Sequence, residues 1–303
     1  MTDKNHTAQA AAAISAYALI IGFTDNYVRV IASEIGLWQF HLTRSLMVAG
    51  LLVLAVPLFR LDLRPRNFRA VAARSVVHGV AMLCYFGSLG FLPVPQVAAG
   101  LFTAPIFVLL ITRFVYGERI GLVRILAVAV GFAGILLVLG PEAARIGPAA
   151  AIPVLGGALY ALGNIATQRW CPGEGAVTLT AGFFAMLGVL GACGLGVLTL
   201  FPGLGAAAGE GPLTFILRGP ALPSGTVLFW VFAQALGSLV AVSLMVRGYQ
   251  LTDATRAAVF EYVVLPAAAL WGFLLWDEVP GLREWAGMGL IWLAGLAIVA
   301  RGR

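Results

Sequence analysis

Glu261 is the single carboxylate in the apolar stretch AAVFEYVVLPAAALWG, residues 257–272. If hydrocarbon surrounds that stretch, an ionised side chain near its centre costs about 2.5 to 3.5 kcal/mol, so Glu261 must turn inward and find partners. Three chemistries suit such a group. It binds a substrate ammonium, carries a coupling proton, or serves as a hydrogen-bonded structural carboxylate, with Tyr262 or backbone freed near Pro266 as its partner. Arg44, in FHLTRSLMVAGLLVL, is the cationic counterpart. Its guanidinium can grip a substrate carboxylate bidentately, snorkel to the membrane surface, or pair with Asp25 or Glu34. Asp25 and Arg29 lie four residues apart on one helix face, where an intrahelical pair explains them both. Asn26 beside them is the better candidate for lining a cavity.

Tyr160, Asn164 and Gln168 recur at four-residue spacing in ALYALGNIATQRW. Such a polar stripe is costly against lipid, so it either lines a path or bonds a neighbouring helix. Gln234 and Ser238 form a shorter stripe of the same spacing. Tyr85 and Phe86 offer aromatic walls, and Thr103 places a hydroxyl two residues before Pro105. The candidate substrate-binding residues are therefore Asn26, Tyr85, Thr103, Tyr160, Asn164, Gln168, Gln234, Ser238, Glu261 and Tyr262. Arg44, Pro105, Glu118, Pro266 and Glu278 are the candidate gating or structural residues. His6, His41 and His78 lack ligand partners at useful spacing, so no metal or other cofactor is expected. No Walker-type phosphate loop is present, and ATP-driven transport would require another subunit.

The elements that must position these groups follow from composition. Of 303 residues, 61% are hydrophobic and 11% charged, against about 25% charged in a soluble domain. Apolar runs of roughly 18 to 24 residues recur throughout, each long enough to cross a hydrocarbon core of about 30 Å. They predict an all-α polytopic membrane protein with ten helices near 10–32, 36–58, 70–91, 95–115, 121–140, 149–169, 177–201, 225–248, 254–276 and 283–301. A transmembrane barrel would require alternating segments of about 10 residues, and these runs do not alternate. The first run is too long for a signal-peptide core and is kept as a helix. Residues 203–225, rich in Pro and Gly, predict an irregular excursion. Cys84, Cys171 and Cys193 are odd in number and read as small packing residues.

Formal charge is +6. On such a chain it reflects loop arginines rather than nucleic-acid binding. With the N-terminus inside, the inner side collects most of the basic residues, including Lys4, Arg301, Arg303 and the run RLDLRPRNFRAVAAR, which ends on Arg74. The outer side keeps Arg29, Arg44, Arg145, Arg218 and Arg283. The bias predicts cytoplasmic termini in a bacterial inner membrane. An internal repeat is visible between the run from Pro105 and the run from Pro266. In both, a proline precedes a helix that closes on an acid, Glu118 or Glu278, and the next helix carries Ala133-Gly134 or Ala294-Gly295. Five helices per repeat is odd, so 148–303 must be inserted upside down relative to 1–147. Inverted repeats place a substrate site at their interface near the midplane.

These features together resemble the drug/metabolite transporter superfamily, in its EamA-type branch of ten-helix bacterial exporters. The residues that carry the resemblance are Arg44, Pro105 and Gly117-Glu118-Arg119 in the first half, and Phe260-Glu261-Tyr262, Glu278 and Pro280 in the second. Asp277-Glu278-Val279 departs from the Gly-Glu-Arg of the first half. The resemblance implies export of a small metabolite, commonly an amino acid, and within the branch the chain looks most like an exporter of aromatic amino acids. The expectation is a secondary exporter, not an enzyme, working by alternating access through a largely apolar cavity built by helices 1, 3, 4, 6, 8 and 9. The fifth and tenth helices would face lipid or the second subunit of a homodimer. A passive pore is the alternative, separated by the absence of saturable counterflow. An intramembrane enzyme is the third reading, but no aspartate pair, Ser/His pair or His/Asp loop stands out.

Overall fold

Why ten helices form is local: each is a long apolar run that satisfies its own backbone where no water is available. The computed structural model describes residues 2–92, 94–141, 147–208 and 213–300. Among them, ten helices are long and apolar enough to cross a membrane: helix 1 (His6–Glu34), helix 2 (Leu37–Phe59), helix 3 (Phe68–Ser88), helix 4 (Gln96–Phe114), helix 5 (Leu122–Leu139), helix 6 (Pro148–Arg169), helix 7 (Ala176–Leu200), helix 8 (Gly225–Leu251), helix 9 (Ala254–Leu275) and helix 10 (Leu282–Ala300). Side chains fix several ends. Asn67 accepts from Ala70 N at the start of helix 3, Ser224 from Val227 N at helix 8, and Asp253 from Arg256 N at helix 9. The protein is a multi-pass membrane protein, and the ten spans among the described residues bring the start of helix 1 and the end of helix 10 to one face, termed the terminal face below. Arg145, Arg301 and Arg303 lie outside the described residues, as does the side chain of Lys4.

The packing repeats when each helix is exchanged for the one five later. Helix 1 lies against helices 8 and 9, as helix 6 lies against helices 3 and 4. Helix 2 packs on helix 7, and helix 5 on helix 10, each pair mapping onto itself. Helices 5 and 10 approach through glycine backbones: a Cβ on Gly134 would sit 2.6 Å from Gly287 O, and one on Gly287 2.5 Å from Gly134 O. Gly295, the repeat counterpart of Gly134, has open space around it.

Helices 4 and 9 are both broken beside their prolines. Helix 4 divides into Val94–Leu101 and Ala104–Phe114. Pro105 has no N–H for Leu101 O, and Thr103 Oγ1 instead donates to Gly100 O at 2.5 Å. Helix 9 runs Ala254–Phe260, passes through a tight 3₁₀ turn at Glu261–Val263, and resumes at Val264–Trp276. Pro266 likewise leaves Tyr262 O without its helical donor. Helix 1 breaks too, between Asp25 and Val28.

On helix 7 the packing face runs through Gly188, Gly191 and Gly194. Gly188 meets Ser45, Gly191 meets the backbone of Trp38 and Leu42, and Gly194 meets the Trp38 ring, whereas Gly196 touches nothing. The described parts of 203–225 cap the face opposite the termini. Trp38 Nε1 donates to Ile216 O, Gln39 exchanges two hydrogen bonds with Ala221, and Arg218 donates to Ala32 O.

Candidate functional site

Between the two sets of five helices lies a narrow cavity of about 110 Å³, below the range of about 300 to 1,000 Å³ typical of small-molecule sites. Its walls come from helices 1, 3, 4, 6, 8 and 9, as the sequence leads one to expect, and also from helices 2 and 7 through Arg44, Phe183 and Phe184. Among the described residues, helices 5 and 10 contribute nothing to it. Both broken helices present their breaks to this space, helix 4 through Phe102, Ala104 and Pro105 and helix 9 through Glu261 and Val264.

The polar residues sort into two clusters. Nearer the terminal face, Glu261 Oε2 accepts from the Tyr160 hydroxyl at 2.9 Å and Oε1 accepts from Asn164 Nδ2 at 3.1 Å. Asn164 Oδ1 faces His78 Nε2 at 3.0 Å. Because that amide already donates through Nδ2, its oxygen is the acceptor, and His78 must carry its proton on Nε2. Arg74 completes this end, with Nε donating to Thr167 Oγ1 at 2.7 Å and Nη1 to Leu179 O at 3.3 Å. Among the described residues no basic side chain forms an ion pair with Glu261; neutral groups hold it, from helix 6 and from Tyr249 of helix 8.

In the other half, Gln234 links two opposite charges. Its Nε2 donates to Asp25 Oδ1 at 2.8 Å and its Oε1 faces Arg44 Nη1 at 3.4 Å. Ser238 Oγ donates to Gln234 Oε1 at 2.5 Å. Arg44 Nη2 lies 3.2 Å from His41 Nδ1, which must accept because a guanidinium only donates. Aromatic rings cover the guanidinium, with Phe40, Phe184 and Phe86 centroids at 4.6, 5.4 and 5.7 Å.

Of the residues proposed from sequence, Tyr85, Tyr160, Gln234, Ser238, Glu261, Arg44 and Pro105 line the cavity. Asn164 stands one hydrogen bond behind it. The other residues are elsewhere. Asn26 folds back to donate to Gly22 O at 2.6 Å. Thr103 serves the break in helix 4. Gln168 reaches the Tyr249 and Thr252 carbonyls at the end of helix 8. Tyr262 packs fully buried against Gly131, away from the cavity. Pro266 is absent from the lining, while Glu118 and Glu278 end their helices in ion pairs with Arg169 and Arg29. That last pair replaces the expected Asp25–Arg29 contact with Arg29–Glu278, at 3.7 Å, and leaves Asp25 turned to the cavity.

Sequence reasoning missed Tyr17, Asp25, Arg74 and His78 as cavity residues. It read Arg74 as a loop arginine fixing orientation, but the side chain is 1% exposed. The signal was available: ionisable residues inside an apolar run are functional candidates by default, and helix 3 carries two, one turn apart.

Residues 9–140 match the sequence profile of the EamA-like transporter family. Over 297 residues, covering 95% of this chain and 96% of the relative, the sequence is 25% identical to a riboflavin transporter of Brucella anthropi. It is 29% identical over 226 residues to a riboflavin transporter of Rhizobium johnstonii, covering 75% of this chain and 68% of that one. A solved crystal structure shares the fold at a TM-score of 0.74 and 18% identity, covering 96% of each chain. Residues 9–140 are thus similar to the EamA-like transporter family, and over nearly its whole length the chain is similar to a protein named as a transporter.

Proposed function

We propose that the protein is a secondary transporter that carries a small organic solute with a flat aromatic portion across the cytoplasmic membrane by alternating access. Residues 1–147 and 148–303 act as the two inverted repeats, with both termini cytoplasmic. The observation that carries this reading is the cavity between the repeats, walled by Tyr85, Phe86, Phe102, Phe183 and Phe184 and carrying Asp25, Arg44, Arg74 and Glu261 among them. Rings favour stacking on a planar solute, and buried groups of both signs favour a solute with donors and acceptors together. The two riboflavin-transporter relatives support a flavin-like solute. Aromatic amino-acid export is the second reading, favoured by the opposite charges of Asp25 and Arg44 in one half of the cavity.

Proteoliposome counterflow tests the proposal. Liposomes preloaded with unlabelled riboflavin or L-phenylalanine should take up the labelled compound transiently above equilibrium, with saturation. Linear, unsaturable flux would identify a pore. Folded protein that moves neither compound would remove the reading.

A further inference from the structure

We propose that Asp25 and Arg44 form a clamp for the polar edge of the solute, an edge that presents a carbonyl-type acceptor next to a hydrogen-bond donor, and that the Gln234 carboxamide holds this position in the structure. The proposal rests on the transport reading above and specifies which part of the solute is recognised.

Gln234 is 1% exposed and projects from helix 8 between an acid on helix 1 and a base on helix 2. Its orientation is dictated by its neighbours, since a carboxylate only accepts and a guanidinium only donates. The NH₂ therefore faces Asp25 and the carbonyl faces Arg44. A carboxamide in this position imitates a ligand edge, with its carbonyl in place of an anionic or carbonyl oxygen and its NH₂ in place of an ammonium or ring N–H.

The imitation is a loose one on the arginine side. At 3.4 Å the Arg44–Gln234 contact is at the long limit of a hydrogen bond, whereas guanidinium–oxygen bonds shorten to about 2.7 to 2.9 Å with a good acceptor. Arg44 Nε, buried, has no hydrogen-bond partner. Phe40, Phe86 and Phe184 surround the guanidinium, so polar partners can approach only at its edge. The acidic side is tighter, at 2.8 Å. The slot is thus polarised, flanked by aromatic rings and occupied by a neutral side chain, whose carbonyl a solute must also free from Ser238 Oγ at 2.5 Å.

Two ligand chemistries present this acceptor–donor edge. One is the imide or lactam edge of a planar heterocycle, where a ring C=O adjoins a ring N–H. The other is the zwitterionic head of an α-amino acid, where both groups are charged. The cluster around Glu261 is a poorer candidate for reading either one, because Tyr160 and Asn164 already engage both of its carboxylate oxygens.

Binding to the full-length protein in nanodiscs, read as ligand-induced thermal stabilisation over a concentration series, tests the clamp. Riboflavin is compared with its N3-methyl analogue, which lacks the imide N–H. L-Phenylalanine is compared with phenethylamine and 3-phenylpropionate, which lack the carboxylate and the ammonium. One parent compound should bind at least tenfold more tightly than its edge-deleted analogue, the size expected for loss of a charge-assisted hydrogen bond. Asp25→Asn should reduce the preference for the donor-bearing parent to less than threefold. Arg44→Lys, which keeps the charge but loses the planar fork, should do the same for the acceptor-bearing one. Loss confined to the riboflavin pair identifies the heterocyclic edge, and loss confined to the phenylalanine set identifies the zwitterion. Equal binding of parent and analogue by the wild-type protein overturns the clamp and requires no variant to fold. So does binding of neither parent, or preferences that survive in both variants. Selective binding without counterflow would remove the transport reading and leave the clamp standing, and unselective counterflow would do the reverse.

Discussion

Glu261 is held by the Tyr160 hydroxyl and the Asn164 amide of helix 6, with the Tyr249 hydroxyl of helix 8 also beside it, all of them neutral. Charge can therefore leave this site without breaking an ion pair, which suits a group that exchanges a proton or an ammonium. In Glu261→Gln the amide oxygen can still accept from Tyr160, but no proton titrates. Downhill counterflow should persist while gradient-driven accumulation falls at least tenfold and its pH dependence flattens, measured in proteoliposomes with imposed pH gradients. Wild-type accumulation in that variant would assign Glu261 to structure alone. Its neighbours on helix 6 separate by the same logic. Asn164→Leu deprives both His78 Nε2 and Glu261 Oε1 of their shared partner, and each buried orphan costs about 1 to 3 kcal/mol. That variant should melt lower and transport poorly. Gln168 bonds backbone at the end of helix 8 and does not line the cavity. Gln168→Leu should lower stability while leaving solute affinity within about twofold of wild type, a split that thermal melts and counterflow affinities would register together.

At the scale of elements, the two broken helices end in matching latches. Helix 4 closes on Glu118, paired with Arg169 from the end of helix 6 at the terminal face. Helix 9 closes on Glu278, 3.7 Å from Arg29 near the end of helix 1 at the opposite face. These are equivalent positions under exchange of the halves, since helix 4 relates to helix 9 and helix 6 to helix 1. Both latches are substantially exposed, so each contributes about 0.2 to 1 kcal/mol at most. Glu118→Gln should favour opening at the terminal face and Glu278→Gln opening at the other. A cysteine introduced at Val242 in the cavity should then react with a membrane-impermeant maleimide up to about fivefold faster from the favoured face, in opposite senses for the two variants. Changes of the same sign would show that the latches do not select the open side. The crossing of helices 4 and 6 has no such latitude. A Cβ on Gly157 would sit 2.6 Å from Gly100 O and 2.7 Å from Thr103 Oγ1, at the very break of helix 4.

For the whole molecule, exchange symmetry of the packing accounts for where the cavity is and what surrounds it. Helices 5 and 10 pair with one another through Gly134 and Gly287 outside the cavity, so they brace the two halves without lining the route. The arginine bias gives the orientation a direct test. In a background lacking Cys84, Cys171 and Cys193, a cysteine at Arg64 should label only from the cytoplasm and one at Leu222 only from outside. Leu222 is fully exposed on the excursion between helices 7 and 8. Labelling of both positions from one face would overturn the arrangement of ten spans.

The ten spans are local in origin, because hydrocarbon thickness and backbone hydrogen bonding leave an apolar run of that length little choice but a helix. Expected ends fall within four residues of those observed. Pro105 and Pro266 likewise announced both breaks, since a missing N–H is a local fact. Glu261 was legible for a similar reason: a lone carboxylate in hydrocarbon must face inward. Tertiary structure alone decided which polar residues meet. Asp25 and Arg29 share a helix face, yet Asp25 turns to Gln234 and Arg29 lies near Glu278, more than two hundred residues away in each case. Tyr262 adjoins Glu261 in sequence but points between helices 5 and 10, because the 3₁₀ turn sends consecutive side chains to different sides. Periodicity gives the face of a helix, whereas the rotation of that face toward a cavity or a neighbour is set by glycine contacts such as Gly100 with Pro153 and Gly22 with Ala268. Those contacts join residues far apart in the chain, and no local pattern records them.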